Sequence, residues 1–201
     1  IKSGLAKKVL VIGAEALSRV VDPHDRDSMI YSDGAGAVVV EASTDQSGIL
    51  GQATATYTHE EAFFIFNETS YNKELKDKTK YIKMYGRRIY NFALSKVPEG
   101  MKAAMDQAGV DINDLKKIFI HQANEKMDEA IVDRFYKLYD MEPPKDIMPM
   151  IIHNLGNSSV ATVPTVMDLV IHGKLPQHKV EKGDVVMFAS VGAGMNINAI
   201  V

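Results

Sequence analysis

The 201 residues, 46% of them hydrophobic, suffice for one large domain or one and a half ordinary ones at about 100–200 residues each, with no need of a covalent staple. With 23 Lys and Arg against 26 Asp and Glu the net charge is -3, which leaves no positive excess to neutralise nucleic acid or dock on an anionic membrane. Cysteine is absent, which excludes disulfides, thiolate metal sites and, within these residues, a cysteine nucleophile.

The start, Ile1-Lys2-Ser3-Gly4, is neither a signal peptide nor a methionine start, and no apolar run reaches the ~18 residues of a membrane span. A soluble chain whose beginning has been cut is expected. Val9-Leu10-Val11-Ile12, bounded by Lys7-Lys8 and Gly13, reads as a central strand buried on both faces. Asp22 to Asp27 is a polar, proline-punctuated loop, followed by a glycine turn at Ser32-Asp33-Gly34-Ala35-Gly36-Ala37 and a strand at Val38-Val39-Val40. From Ala42 to about Lys80 a connection is expected, with some strand around Ile49 to Thr58. Apolar residues from Ile89 to Ala108 recur at three and four, which predicts a helix that Gly109 stops and Pro98 kinks or breaks.

Ile118-Phe119-Ile120 is a strand that ends at His121-Gln122-Ala123-Asn124, before a helical pattern through Met127, Ile131, Phe135 and Leu138. After a proline-rich loop, the polar turn Asn154 to Ser159 enters a helix from about Ala161 to His172. Val185 to Ala189 is a strand, Gly192-Ala193-Gly194 a turn, and Met195 to Val201 a closing strand. Buried strand, Gly-Ala-Gly and second strand occur twice, near Val9 and near Val185, which suggests two related α/β halves with the first present only in its final part.

Gly34-x-Gly36 is not a dinucleotide fingerprint, because strand rather than helix follows and the third glycine is missing. Asp22, His24, Asp25 and Asp27 lack the glycine and distal glutamate of a calcium loop, so a solvated turn is favoured and no metal site is expected. His121 and Asn157 stand at strand-to-helix turns, where side chains reach the crevice at the carboxyl ends of strands. An imidazole N–H and an amide N–H are both donors, able together to hold a carbonyl oxygen that turns negative as an enolate or tetrahedral oxyanion. Ser158 and Ser159 are the only local nucleophile candidates, and neither lies in a G-x-S-x-G elbow. The Gly192-Ala193-Gly194 backbone offers either a second oxyanion donor or a plain turn.

His121-Gln122-Ala123-Asn124 with Gly156-Asn157-Ser158-Ser159 resembles the beta-ketoacyl-[acyl-carrier-protein] synthase III family of the thiolase superfamily. The resemblance extends through Ser3-Gly4, Asp22-Pro23-x-Asp25-Arg26, Asp33 to Ala37, Tyr81-Ile82-Lys83-Met84-x-Gly86 and Gly192-Ala193-Gly194, in the family's order. It implies an α/β thiolase-like fold, layered α-β-α-β-α, with the end of the first half and the complete second half present. Residues 1–45 would end the N-terminal half, 46–80 connect, and 81–201 form the C-terminal half. It also implies an acyltransferase that starts fatty-acid synthesis by decarboxylating condensation of an acyl-CoA primer with malonyl-acyl carrier protein.

By that resemblance the nucleophilic cysteine lies just upstream of Ile1, His121 and Asn157 hold the malonyl thioester carbonyl, and Ala193 supplies an oxyanion N–H. Arg26 would stack on the adenine of coenzyme A, its alternative being a salt bridge with Asp22 or Asp25; Gly86 and Asn124 would also line the coenzyme A path. Gln122, Ala123, Asn124, Glu125 and Lys126 would dock acyl carrier protein, with Lys126 favouring its acidic helix and Glu125 opposing it. No cofactor, a cytoplasmic location and a homodimer are implied. Departures are Asn91 for a usual lysine, Ser32 for a usual glycine, a loop before Asp33 one residue short, His153-Asn154-Leu155-Gly156 for Arg-x-Gly, and Met195-Asn196-Ile197-Asn198 for Leu-Thr-Trp-Gly. A sister condensing enzyme of secondary metabolism and a non-catalytic thiolase-fold domain or fragment are the alternatives.

Overall fold

Two short apolar runs, 118–120 and 185–189, lie parallel in the main sheet, and the first leads directly into His121. The computed structural model describes residues 1–44 and 47–201, so the boundary expected between residues 45 and 46 lies outside the described residues. In chain order the elements are β1 (Lys8–Ala16), β2 (Asp33–Glu41), β3 (Gln52–Thr56), β4 (Ile65–Glu68), β5 (Tyr81–Met84) and α1 (Gly86–Ala108). There follow β6 (Leu115–Ile120), α2 (Glu125–Lys137), α3 (Ile152–Leu155), α4 (Thr162–Ile171), β7 (Val185–Gly192) and β8 (Asn196–Ile200).

The main sheet has the order β3-β8-β7-β6, parallel between β6 and β7 and antiparallel elsewhere. Strand side chains alternate in direction. Ile118, Ile120, Met187, Ala189, Ile197 and Ala199 therefore join a core with α1 and α2, while Phe119 faces the other way and joins Val166 and Val170 of α4. Phe119 stacks on Phe188 there, with ring centroids 5.4 Å apart. Beyond α4 lies the antiparallel pair β1–β2. The described residues thus form layers of helix, sheet, helix and sheet.

The β1–β2 pair corrects one expectation. Among the described residues β1 pairs with β2 alone, and Leu10 and Ile12 are 59% and 63% exposed. Its apolar composition suits a strand covered on both faces, yet only one face meets cover here, from residues 158–164. Gly34-Ala35-Gly36 is not a turn; it lies within β2. A Cβ on Gly34 would stand 2.8 Å from the Cβ of Ser158, and one on Gly36 2.5 Å from Cγ of Pro164. The glycines let the strand lie directly against the turn and helix behind it. The proposed repeat therefore matches as a pair of antiparallel strands, while its two Gly-Ala-Gly segments occupy different places.

α1 ends at Gly109 as the pattern predicts, but it runs unbroken through Pro98. Proline removes the N–H that would satisfy the carbonyl of Leu94. Arg134 of α2 replaces it, donating from Nη1 to that carbonyl at 3.1 Å. The strand expected around Ile49 to Thr58 is β3, and it joins the main sheet. Its Thr54 and Thr56 face Asn198 and Asn196 of β8 in register and hydrogen-bond to them, which gives the Asn-x-Asn departure a cross-strand role. Among the described residues, no helix is long and apolar enough to cross a membrane.

Candidate active site

His121 follows directly on β6, and its backbone N–H donates to the Ala189 carbonyl of β7 at 2.8 Å, so the sheet fixes where its side chain begins. Burial holds the imidazole well below the ordinary histidine value, at about 4, although a hydrogen bond with the Ser159 backbone pulls the other way. The ring is therefore neutral near pH 7. It also touches the second turn singled out by the sequence.

That turn is held from outside. Asn157 is 6% exposed. Its N–H donates to the Ile30 carbonyl at 2.8 Å, and its carbonyl accepts from the Ser32 N–H at 2.9 Å. The hydroxyl of Ser32 donates to the Leu155 carbonyl at 2.5 Å, so the serine that departs from the family pattern ties down the last turn of α3. Gly156 has φ 66° and a Cβ there would stand 3.2 Å from the Ile30 carbonyl oxygen; Ser159 has φ 53°. Left-handed backbone at both ends makes the bend sharp. Asn157 Oδ1 accepts from the Ser159 N–H at 2.9 Å, which orients the amide and leaves the hydrogens of Nδ2 outside that bond. Ser158 instead packs against Gly34, with its hydroxyl 3.4 Å from that of Thr162.

Ala193 lies in the exposed turn between β7 and β8, and its carbonyl accepts from Asn196 Nδ2 at 3.4 Å. Because β6 and β7 are parallel with Ile120 opposite Ala189, His121 and this turn leave the sheet by the same edge. The three segments that could meet a negative oxygen thus belong to one end of the fold, in keeping with the rule that α/β sheets bind ligands at their carboxyl edge.

Arg26 is exposed and opens a short helical turn capped by Asp25, whose carboxylate accepts from the Asp27 N–H at 3.0 Å. The alternative reading of Arg26, a salt bridge with Asp22 or Asp25, fails because Lys83 takes both carboxylates: its Nζ is 2.5 Å from Asp22 and 3.3 Å from Asp25. The expectation of a solvated turn fails at Asp22, which is 1% exposed and also accepts from Ser70, from the Tyr71 N–H and from the His24 N–H. Burial alone would raise its pKa, but Lys83 and these donors outweigh it and hold the carboxyl far below the usual range. The Tyr71 ring covers Lys83, 3.6 Å from Nζ to centroid. Among the described residues, no cluster of His, Cys, Asp or Glu could hold a metal ion. Gly86, exposed, opens α1 just beyond β5, and β5 carries Lys83; the ion pairs therefore tie the Arg26 turn to the start of α1.

The segment after His121 divides. Asn124 caps α2, its Oδ1 accepting from the Met127 N–H at 3.2 Å. Ala123 is half-buried, Lys126 is exposed, and Glu125 stands 3.5 Å from Nε2 of His153. Gln122 does not belong on a docking surface: it is fully buried and spends its amide on the 149–151 backbone. The roles of Gln122, Ser32 and Lys83 depend on partners far along the chain, and no local pattern marks them.

Comparison with known proteins bears on this arrangement. The family model for 3-oxoacyl-[acyl-carrier-protein (ACP)] synthase III matches residues 1–58, and the one for its C-terminal part matches residues 105–201. The curated beta-ketoacyl-[acyl-carrier-protein] synthase III of Aquifex aeolicus is 35% identical over 202 residues, which cover 100% of this chain and 59% of that relative. The solved beta-ketoacyl-[acyl carrier protein] synthase III of Thermus thermophilus has a TM-score of 0.84 at 27% identity, covering 100% of this chain and 60% of that one. A priming beta-ketosynthase from the R1128 polyketide pathway has a TM-score of 0.83 at 28% identity, covering 99% of this chain and 57% of that one.

The fold is the thiolase-like fold, an α/β architecture. Within that class the chain belongs to the 3-oxoacyl-[acyl-carrier-protein] synthase III family. It spans about three fifths of the length of the relatives it matches.

Proposed function

We propose that these residues are part of an acyltransferase that condenses an acyl-CoA primer with malonyl-acyl carrier protein and so starts fatty-acid synthesis. The observation that carries this reading is the meeting of His121 with the Asn157 turn through Ser159. In the proposed reaction, loss of carbon dioxide from the malonyl thioester leaves the electron pair of the broken C–C bond in an enolate. His121 and Asn157 Nδ2 donate to its oxygen. A neutral imidazole carries one N–H, so in serving the enolate oxygen the ring turns to it the proton that the Ser159 backbone otherwise draws. The enolate carbon then attacks the carbonyl of an acyl-cysteine; a C–C bond forms, the C–S bond breaks, and the cysteine leaves as thiolate. The Ala193 N–H holds the oxygen of the tetrahedral intermediate. No metal or organic prosthetic group enters this sequence.

The cysteine comes from outside the 201 residues, which contain none. Residues 1–45 end one thiolase-like half, whose further strands would cover Leu10 and Ile12; residues 81–201 form the other, with 46–80 lending β3 to its sheet. Arg26, Gly86 and Asn124 line the coenzyme A path, and Ala123 to Lys126 meet acyl carrier protein. The working protein is a cytoplasmic homodimer, and the 201 residues alone are inactive in condensation. A sister condensing enzyme of secondary metabolism is the second reading, favoured by the likeness to the R1128 priming ketosynthase and by the departures at Asn91 and His153.

Intact mass of the full-length protein after incubation with acetyl-CoA and other short acyl-CoAs tests the reading. An acyl adduct that maps to a cysteine shortly before Ile1 is expected, and the primer that adds most readily separates the two readings. Absence of any adduct with every primer would overturn both.

A further inference from the structure

Gln122 is 0% exposed. Its Nε2 donates to the Pro149 carbonyl at 2.8 Å, and its Oε1 accepts from the Ile151 N–H at 2.8 Å. One side-chain amide thereby pairs with both backbone groups that flank Met150, as a neighbouring strand would. Pro149 and Ile151 are themselves buried, so water does not substitute for either bond without entering the core.

Both ends of this clasp lead to the site. On one side Gln122 adjoins His121, whose N–H is pinned to β7. On the other, the Ile151 carbonyl accepts from the N–H groups of Asn154 and Leu155, which starts α3, and α3 ends at Gly156 beside Asn157. The His121 and Asn157 loops come from distant parts of the sequence. The buried amide of Gln122 links the strand end that carries one to the segment that carries the other.

We infer that Gln122 is a positioning residue, which sets the separation of the His121 and Asn157 donors through its two bonds to the 149–151 backbone. This rests on the condensing-enzyme reading above. A donor pair acts on one oxygen only if both reach it together, and a displacement of about 1 Å costs on the order of 10²-fold in rate.

The test uses the full-length protein with Gln122→Ala and, beside it, His121→Ala. The readout is malonyl thioester decarboxylation per cysteine that still accepts an acyl group, which counts only folded enzyme. Gln122→Ala should lower kcat about 10²-fold with little change in KM for the malonyl thioester and with normal cysteine acylation. If it yields no folded protein, Gln122→Met, which keeps the side-chain volume but loses both bonds, gives the same split in kcat. A rate per acylatable cysteine within twofold of wild type in the folded variant would overturn the inference. Unimpaired decarboxylation in His121→Ala would instead overturn the reading of the site.

Discussion

Two buried carboxylates in this chain are treated in opposite ways. Asp22, 1% exposed, is ionised and surrounded by Lys83, Ser70 and two backbone donors. Asp128, 0% exposed on α2, meets no cation and no side-chain donor among the described residues, and burial pushes its carboxyl up to about 8 while the backbone of Asn124 and Ala123 offsets only part of that. Burial raises the pKa of both carboxyls, and only at Asp22 do a cation and side-chain donors outweigh it. The charged node ties the Arg26 turn to β5; the uncharged one lies on the helix that begins beside His121, itself held neutral. Burial holds both the His121 imidazole and the Asp128 carboxyl in the neutral form, which suits a site that must respond to a charge appearing on its substrate.

The largest effect should come from breaking the paired side of this contrast. Lys83→Met leaves two carboxylates facing a buried space without a cation, and should cost about 3–5 kcal/mol in denaturant unfolding of the full-length protein. Adding Asp22→Asn to that variant should recover much of the loss. A single-variant loss under about 1 kcal/mol would show that the pair is not buried in solution.

The unpaired side sharpens the contrast through its sign. The folded pKa of Asp128 lies above its ordinary value of 3.8, so the folded chain keeps a proton that the unfolded chain gives up between there and about 8. Its contribution is fully present below the lower value and is lost as pH rises toward the upper one. Asp128→Asn should therefore stabilise the protein at pH 8 by about 1–3 kcal/mol and by progressively less toward pH 5, read as thermal midpoints. An identical pH profile in variant and wild type would contradict the account.

How much of this could be read in advance follows from the range of the interactions. α1 was legible because its apolar spacing and Gly109 are local, and β6, β7 and the two polar turns were legible as short apolar runs ending in polar residues. That Pro98 does not break the helix is not legible locally, because its remedy, Arg134, lies on another helix. Asp22 looked solvated because Lys83 is 61 residues away, and Gln122 looked like surface because its partners are 27 and 29 residues away. β1 is legible as a strand, while its composition reports the burial a strand suits and not which neighbours are at hand.

The central claim is that His121 and Asn157 act together on one oxygen. Decarboxylation of a malonyl thioester by full-length wild type, His121→Ala and Asn157→Ala, each with cysteine acylation as an internal control, tests it most directly. The account predicts a loss of roughly 10²- to 10³-fold in kcat for each variant with acylation retained; near-normal decarboxylation in either would contradict it.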